Sequence, residues 1–117
     1  MNDLSKLIGR VLDQVSVSDD EIMLHTEDGG HLIMYHSQDC CESVYVESVV
    51  GDIPDIIGSP ILSAEESTNS HETPEGSETY TFYKIDTAKG GITIRWVGES
   101  NGYYSESVDC SWSDGGW

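Results

Sequence analysis

Residues 21–36 read EIMLHT-EDGG-HLIMYH, two strand-like runs joined by a turn. In the first run Ile22 and Leu24 share one face of an extended chain, the period-two pattern of a strand with one buried side. The pair Gly29 and Gly30 tolerates positive φ, so EDGG favours a hairpin turn. This stretch predicts two antiparallel strands.

The same pattern continues on both sides of this hairpin. Upstream, RVLDQVSVS places Val11, Val15 and Val17 on one face, and downstream SVYVESV alternates valines with other residues. These runs predict a β-meander over residues 10–50. Before it, DLSKLIG predicts a short helix within residues 1–9, because its leucines and isoleucine share a helical face and a glycine can end it.

The second half is predicted to contain a loop followed by more strands. Glycines and prolines punctuate GDIPDIIGSP, which predicts at most one helical turn near residues 52–58. Residues 66–78 contain no large apolar residue and predict a mobile acidic loop. TYTFYKI, ITIRWVG and YYSESVDCSW predict a three-stranded meander over residues 79–112, and residues 113–117 predict a loose tail.

The dipeptide Asn101-Gly102 predicts a hairpin between the last two strands. A simple two-residue turn would leave the apolar rows of these strands on opposite faces. One extra turn residue, with Gly102 in the left-handed region, would bring the rows together. That bulged turn predicts a shared face made of Ile92, Ile94, Trp96, Tyr104, Val108 and Cys110.

The predicted fold class is mainly β, a single domain over residues 1–117. Six or seven antiparallel strands would form one bent sheet or a small open barrel, preceded by the short helix. Exposed edge strands in so short a chain favour a homodimer or a higher oligomer.

The charge excludes several classes of partner. The 117-residue chain has 22 acidic and 5 basic side chains, a formal net charge of −17. Binding to nucleic-acid phosphates needs clustered lysine and arginine, so direct nucleic-acid binding is not expected. Anionic membranes would repel the chain. The charge favours basic partners instead, including the nucleic-acid-binding surfaces of other proteins. The alternative is that it serves solubility alone.

The N-terminus and the cysteines favour a reducing compartment. The opening MNDLSKLIGRVL has neither the long apolar core nor the cleavage site of a signal peptide. The three cysteines are an odd number, and two of them are adjacent, which does not suggest a disulfide framework. We therefore expect the protein in a reducing compartment.

The run HSQDCCESVY (36–45) gathers residue types that bind metals or ligands. Its candidates are His36, Asp39, Cys41 and Glu42. Adjacent cysteines point to opposite faces of an extended chain and lack zinc-knuckle spacing, so no metal or other cofactor is predicted. Like-charge repulsion from the neighbouring carboxylates disfavours a catalytic thiolate. The remaining alternatives are a pocket-lining turn and a purely structural turn.

A second candidate surface lies in IRWVGESNGYYSES (94–107). Arginine supplies a positively charged guanidinium, and tryptophan and tyrosine supply aromatic rings on which a base can stack. Asparagine and glutamate can form hydrogen bonds to the edge of a base. Together these residue types are typical of a pocket for a nucleobase or nucleotide-like ligand. The alternative is a twisted hairpin that its aromatic residues brace. The candidate residues are Arg95, Trp96, Glu99, Ser100, Asn101, Tyr103 and Tyr104.

Three blocks of the chain resemble an uncharacterised family of small acidic proteins common in tailed phages and prophages. The blocks are QDCCESVYVES, VGDIPDIIGSPILSAEE and TFYKIDTAKGGITIRWVGESNGYYSESV, with DCCESVY and GESNGYYSE the most specific parts. The resemblance runs from IGRVL to Val108. It implies a viral origin and the cytoplasm of a bacterial host cell, and it carries no site residues.

These observations predict a non-catalytic binding protein in counter-defence or host takeover. The first hypothesis is that it sequesters a nucleotide-derived immune signal. The alternative is an acidic inhibitor that mimics DNA and binds a basic host defence protein. A weaker third hypothesis is an enzyme or metalloprotein built on residues 36–42.

Overall fold

The computed structural model describes residues 3–37, 42–101 and 106–113. These residues contain two short 3-10 helices, Leu4–Leu7 and Ile53–Ile56, which lie inside the two segments where helical turns are predicted. They also contain eight strands: β1 (Leu12–Val17), β2 (Glu21–Thr26), β3 (His31–Tyr35), β4 (Ser43–Val50), β5 (Ile61–Thr73), β6 (Gly76–Thr87), β7 (Gly90–Ser100) and β8 (Asp109–Ser113).

The first sheet has the strand order β1-β2-β3-β8, with all neighbours antiparallel. The hairpin predicted from residues 21–36 is present. Ile22 pairs with Met34 and Leu24 pairs with Leu32, and all four side chains are fully buried. This pairing fixes which face of the first sheet is apolar.

The second sheet has the order β4-β7-β6-β5. The β6–β7 pairing runs without interruption from Ser77 opposite Ser100 to Thr87 opposite Gly90. The strand β5 pairs with β6 along almost its whole length, up to Thr73 opposite Gly76. A long β5–β6 hairpin therefore forms one side of this sheet.

The two sheets contribute to one apolar core. Trp96 and Tyr83 are its largest fully buried side chains, and leucines of the first 3-10 helix and Ile56 of the second pack into the same cluster. Removing these side chains from water is the main source of the stability of the fold.

The predicted connections between strands were wrong in two places. The strand β4 pairs with β7 and not with β3, so the meander of residues 10–50 has only three strands. The strand β8 pairs with β3, because both edges of β7 are already occupied by β4 and β6. No β7–β8 hairpin forms in the described residues, although Ile92, Ile94, Trp96, Val108 and Cys110 do share the core. Gly102 and Tyr104 lie outside the described residues.

The prediction of a loop over residues 66–78 was also wrong. Residues 61–73 and 76–87 are paired strands, and only Pro74 and Glu75 form the turn between them. Most side chains of β5 after Ala64 are exposed. The segment needs no apolar residues, since the backbone ladder to β6 holds it.

The mainly β fold class is confirmed. The single sheet or open barrel is replaced by two four-stranded antiparallel sheets without a closed barrel in the described residues. Ser113 ends β8, and the rest of the predicted tail lies outside the described residues. None of the helices in the described part of the chain has the length and apolarity needed to cross a membrane.

Candidate functional site

Two stretches that the sequence singles out separately meet in the second sheet. Ser43 of β4 pairs with Glu99 of β7, and Val44 pairs with Gly98. Near the turn of the β5–β6 hairpin they border a cleft of about 470 Å³. We call it the carboxylate cleft, and it is lined by Glu42, Ser43, Thr73, Glu75, Ser77, Glu78, Glu99, Ser100 and Asn101.

The carboxylate cleft is rich in hydrogen-bond acceptors. Four of its lining residues are glutamates, and none of the described lining residues is a lysine or arginine. One of the glutamates, Glu78, lies 3.2 Å from His71 Nε2 through its Oε1. Such a lining favours ligand groups that donate hydrogen bonds, and it repels phosphate groups placed against it.

A second cleft of about 450 Å³ shares the lining residue Ser77 with the carboxylate cleft. We call it the hydroxyl cleft, since serine and threonine dominate its wall. It is lined by Glu66, Thr68, Ser70, Ser77, Thr79, Thr81, Glu106, Ser107 and Val108. On this wall Ser70 and Thr79 face each other across β5 and β6, with 2.8 Å between their hydroxyl oxygens.

The carboxylate of Glu106 binds hydroxyl groups from the walls of both clefts. Its carboxylate is buried and accepts hydrogen bonds from the hydroxyls of Ser77 and Ser100, and from Thr79 at 2.8 Å. Burial raises the pKa of Glu106, but the three hydroxyl donors together outweigh burial, so its pKa is below the usual 4.5. Glu106 is therefore a fixed negative charge at neutral pH.

Gly98 allows Glu106 to reach this position. A Cβ atom on Gly98 would lie 2.8 Å from both Cβ and the backbone oxygen of Glu106, closer than such atoms approach. The chain around Glu106 therefore crosses directly over β7 at a residue without a side chain.

His36 and Glu42 form a buried pair beside the carboxylate cleft. His36 Nε2 lies 3.0 Å from Glu42 Oε2, and the two side chains are 5% and 1% exposed. His36 Nδ1 lies 2.7 Å from the backbone oxygen of Ser107. Since a carbonyl can only accept, Nδ1 donates to Ser107, and Nε2 is the ring nitrogen that pairs with Glu42. His36 thus ties β3 and Glu42 to the segment before β8.

The structure does not bring Arg95 and Trp96 to the clefts. Trp96 points into the core and is 1% exposed. Arg95 lies on the opposite face of β7, with its guanidinium 4.5 Å from the ring centre of Tyr80 and its Nε 3.3 Å from Glu47 Oε1. Neither residue lines a cleft with Glu99 and Asn101, and strand alternation puts the arginine and the tryptophan on different faces of β7.

Cys110 is a buried core residue. Burial raises the pKa of its thiol to about 12, with the Tyr83 hydroxyl opposing and nearby carboxylates adding to the rise. Burial also raises the pKa of Tyr83. Both groups are neutral at physiological pH, which suits their place in the apolar cluster.

Four predicted ligand-contacting residues, Asp39, Cys41, Tyr103 and Tyr104, lie outside the described residues. Within the described part of the chain, no group of three or more histidine, cysteine, aspartate or glutamate side chains is arranged to hold a metal ion.

The contribution of the β5–β6 hairpin and of Glu106 to the clefts was not predicted from the sequence. Ser77, Thr79 and Glu106 line the hydroxyl cleft, and Glu75 and Glu78 line the carboxylate cleft. A signal was present in TPEG (73–76), where proline and glycine occupy positions typical of a β-turn. Threonines on both sides of it are compatible with strands.

A family model described as Domain of unknown function (DUF7448) matches residues 5–110. The chain belongs to this family. No curated protein and no solved structure matches the chain. The DUF7448 match includes every residue that lines the two clefts, so both belong to the part of the chain that the family shares.

Proposed function

We propose that this DUF7448 protein is a non-catalytic binding protein that sequesters a nucleotide-like small molecule in the carboxylate cleft. The observation that supports the proposal is the pairing of Ser43 with Glu99. It brings Glu42 together with Glu99, Ser100 and Asn101, which were candidates for ligand binding on separate grounds, in one cleft of ligand size.

The lining favours the sugar and base of such a ligand over its phosphates. Carboxylates accept hydrogen bonds from ribose hydroxyls and from exocyclic amino groups, and the Asn101 amide can both donate and accept. With only acidic and neutral residues among the described lining, phosphate groups would face away from Glu42 and Glu99.

A binding role suits the described polar groups better than catalysis. Both ring nitrogens of His36 are engaged, by Glu42 and by the Ser107 carbonyl. The Cys110 thiol is buried and protonated. Acting as a base or a nucleophile would require each group to leave its present partners.

We further propose that this binding role belongs to counter-defence, which the resemblance to small acidic phage proteins supports. In that setting the protein would remove a nucleotide-derived immune signal from the cytoplasm of the bacterial host. Sequestration needs tight, stoichiometric binding and no turnover.

Native mass spectrometry of the protein from cells with active antiviral defences tests this proposal. We expect a retained mass of nucleotide size in the wild type and its loss in Glu99→Gln/Asn101→Ala. Glu21→Gln, an exposed change with the same effect on charge as Glu99→Gln, should retain the ligand. Arg95→Ala should also retain it, because Arg95 is not among the residues that line the cleft. A bare mass for the wild type in every such cell would contradict sequestration.

A second candidate is the acidic inhibitor that mimics DNA. The surface near the turn of the β5–β6 hairpin, which we call the hairpin end, favours this candidate. Glu72, Glu75 and Glu99 are exposed there, close to the partly exposed Glu78. Arg10, Lys84 and Arg95 each have a carboxylate partner elsewhere. The result is a negative surface that fits a basic nucleic-acid channel.

Competition with duplex DNA for an oligolysine probe tests this candidate. Glutamine at positions 72, 75, 78 and 99 should weaken competition strongly. A control variant removes the same number of charges at exposed sites away from the hairpin end, through Asp19→Asn, Asp20→Asn, Glu21→Gln and Asp52→Asn. This control should weaken competition less. Equal losses would show that net charge alone acts and that the hairpin end has no special role.

A further inference from the structure

The four edge strands of the two sheets differ in how well they are protected against pairing with a strand of another molecule. β8 hydrogen-bonds to Asp3, which accepts from the Trp112 amide at 3.0 Å and donates to the Cys110 carbonyl at 3.1 Å. β4 is bulged between Val46 and Ser48, and its Val46 amide donates to Asp19 at 2.7 Å. Bulges and such caps prevent pairing with another chain.

The β1 edge is protected in the same way. It has six residues, its register shifts between Leu12 and Gln14, and the Leu12 carbonyl accepts a hydrogen bond from Gly58 at 3.0 Å. A regular strand from another molecule could not pair along it.

β5 is different. It has 13 residues, and its register with β6 is regular from Ser63 to Thr73. Among the described residues, its outer edge is occupied only at the start, where Ile61 accepts a hydrogen bond from the Gly9 amide and donates one to the Arg10 carbonyl. From Ser63 onwards, the backbone hydrogen bonds found for β5 in the described chain are those to β6. The stretch Ser67–Ser70 at its centre has no charged side chain.

The turn decides which backbone groups of β5 point outward. Only two residues separate Thr73 from Gly76, so this closing pair must be hydrogen-bonded. Alternation then directs the amides and carbonyls of odd-numbered residues to β6. Those of Ala64, Glu66, Thr68, Ser70 and Glu72 point away from the sheet.

We propose that a second copy of this chain pairs antiparallel with the outer edge of β5, with the two-fold axis at Thr68. In this register Thr68 faces Thr68 of the second copy, and Glu66 faces Ser70. The outward-pointing backbone groups of both strands then meet in hydrogen-bonded pairs.

Charge complementarity selects this register among its neighbours. With the axis at Thr68, Glu65 of each copy lies opposite His71 of the other copy, so the pair occurs twice. No glutamate lies opposite another glutamate in this register. His71 is half exposed and Glu65 is exposed, so both are accessible. Moving the axis to Asn69 would set Glu66 against Glu72, which like-charge repulsion disfavours.

The same register also covers an exposed apolar side chain. Leu62 is 62% exposed. Pairing about Thr68 brings the exposed Pro74 of the second copy beside it. The product would be one continuous eight-stranded sheet, with the hydroxyl clefts of both copies adjacent, since Glu66, Thr68 and Ser70 line that cleft.

Sedimentation velocity over a protein concentration series tests the proposal with Thr68→Pro. Proline removes the outward amide but no bond to β6, so the monomer should keep its fold, which circular dichroism verifies. We expect the dissociation constant of the dimer to rise about tenfold or more, since two symmetric hydrogen bonds are lost. Thr68→Ala keeps the amide and should dimerise like the wild type.

A charge exchange tests the register itself. His71→Glu should weaken the dimer, and adding Glu65→Lys should restore it by reversing the pair. A wild type that stays monomeric at millimolar concentration in 0.5 M salt would overturn the proposal. A dimer that Thr68→Pro leaves unchanged would also overturn it, and a dimer insensitive to His71→Glu would overturn the register.

Discussion

Glu106 shows how a buried charge can be stable without a positive partner. Three hydroxyl donors surround its carboxylate and outweigh the effect of burial on its pKa. A carboxyl group whose pKa is lower in the folded state than in the unfolded state stabilises the fold above its unfolded pKa. That contribution is lost as the pH falls through the folded pKa.

We therefore predict that Glu106→Gln destabilises the protein at pH 7 by about 2 kcal/mol, through loss of the charge-assisted hydrogen bonds. The difference from the wild type should shrink as the pH falls below 4.5, the ordinary value for this group. Urea unfolding between pH 3 and 7 measures both effects. Glu99→Gln removes an exposed charge and should change little; a pH-independent difference for Glu106→Gln would contradict the assignment.

Cys110 gives a second prediction at the scale of one residue. Its thiol is buried and has a pKa of about 12, so almost no thiolate exists at pH 8. We expect iodoacetamide to label Cys110 far more slowly in the native protein than in urea, as peptide mass spectrometry can measure. Equal rates in both states would mean that this thiol is accessible.

At the scale of one element, Gly98 determines where the chain before β8 can lie. An alanine there would force Glu106 away from β7, because the new Cβ would lie 2.8 Å from two of its atoms. We predict that Gly98→Ala costs about 1–3 kcal/mol, the usual range for overpacking, and that it also abolishes the pH-dependent contribution of Glu106. Urea unfolding measures the loss. Ser48→Ala, at a half-buried site on β4, should cost less than about 0.5 kcal/mol.

Local patterns in the sequence predict the positions of single strands well, but they predict less well which side chains of a strand are buried. Ile22 and Leu24 alternate as predicted. Val11, Val15 and Val17 do not share one buried face, because the register of β1 shifts between Leu12 and Gln14 and puts Leu12 inside. A bulge changes the face of every following residue, and no local feature of RVLDQVSVS indicates it.

Pairing between distant strands cannot be read from local patterns. Asn101-Gly102 favours a hairpin, but β7 already has β4 and β6 as neighbours, so β8 pairs with β3. The polar β5 looks like a loop, because its stability comes from the ladder to β6 and not from buried side chains.

The same limit applies to the candidate site. The residue types of Glu42 and Glu99–Asn101 suggested binding, and the structure places them in one cleft. Only the β4–β7 register explains why they meet. Arg95 and Trp96 were grouped with them by position in the sequence, although neither of them lines the cleft.

At the scale of the whole molecule, a shared core holds together two sheets that carry a large negative charge. The net charge is −17, and the β5–β6 hairpin concentrates carboxylates at one end. Self-repulsion of this size opposes the compact state, and the apolar cluster must outweigh it.

We predict that the free energy of unfolding rises with salt, because the screening length falls from about 10 Å at 0.1 M to about 3 Å at 1 M. Urea unfolding at pH 7 in increasing sodium chloride measures the rise, and Thr68→Pro is the protein to use, since it excludes a contribution from pairing along β5. Choline chloride at equal ionic strength should give the same rise, which separates screening from specific sodium binding. The variant with glutamine at positions 72, 75, 78 and 99 should show a shallower slope. A flat response in both salts would mean that the carboxylates are already neutralised within the fold.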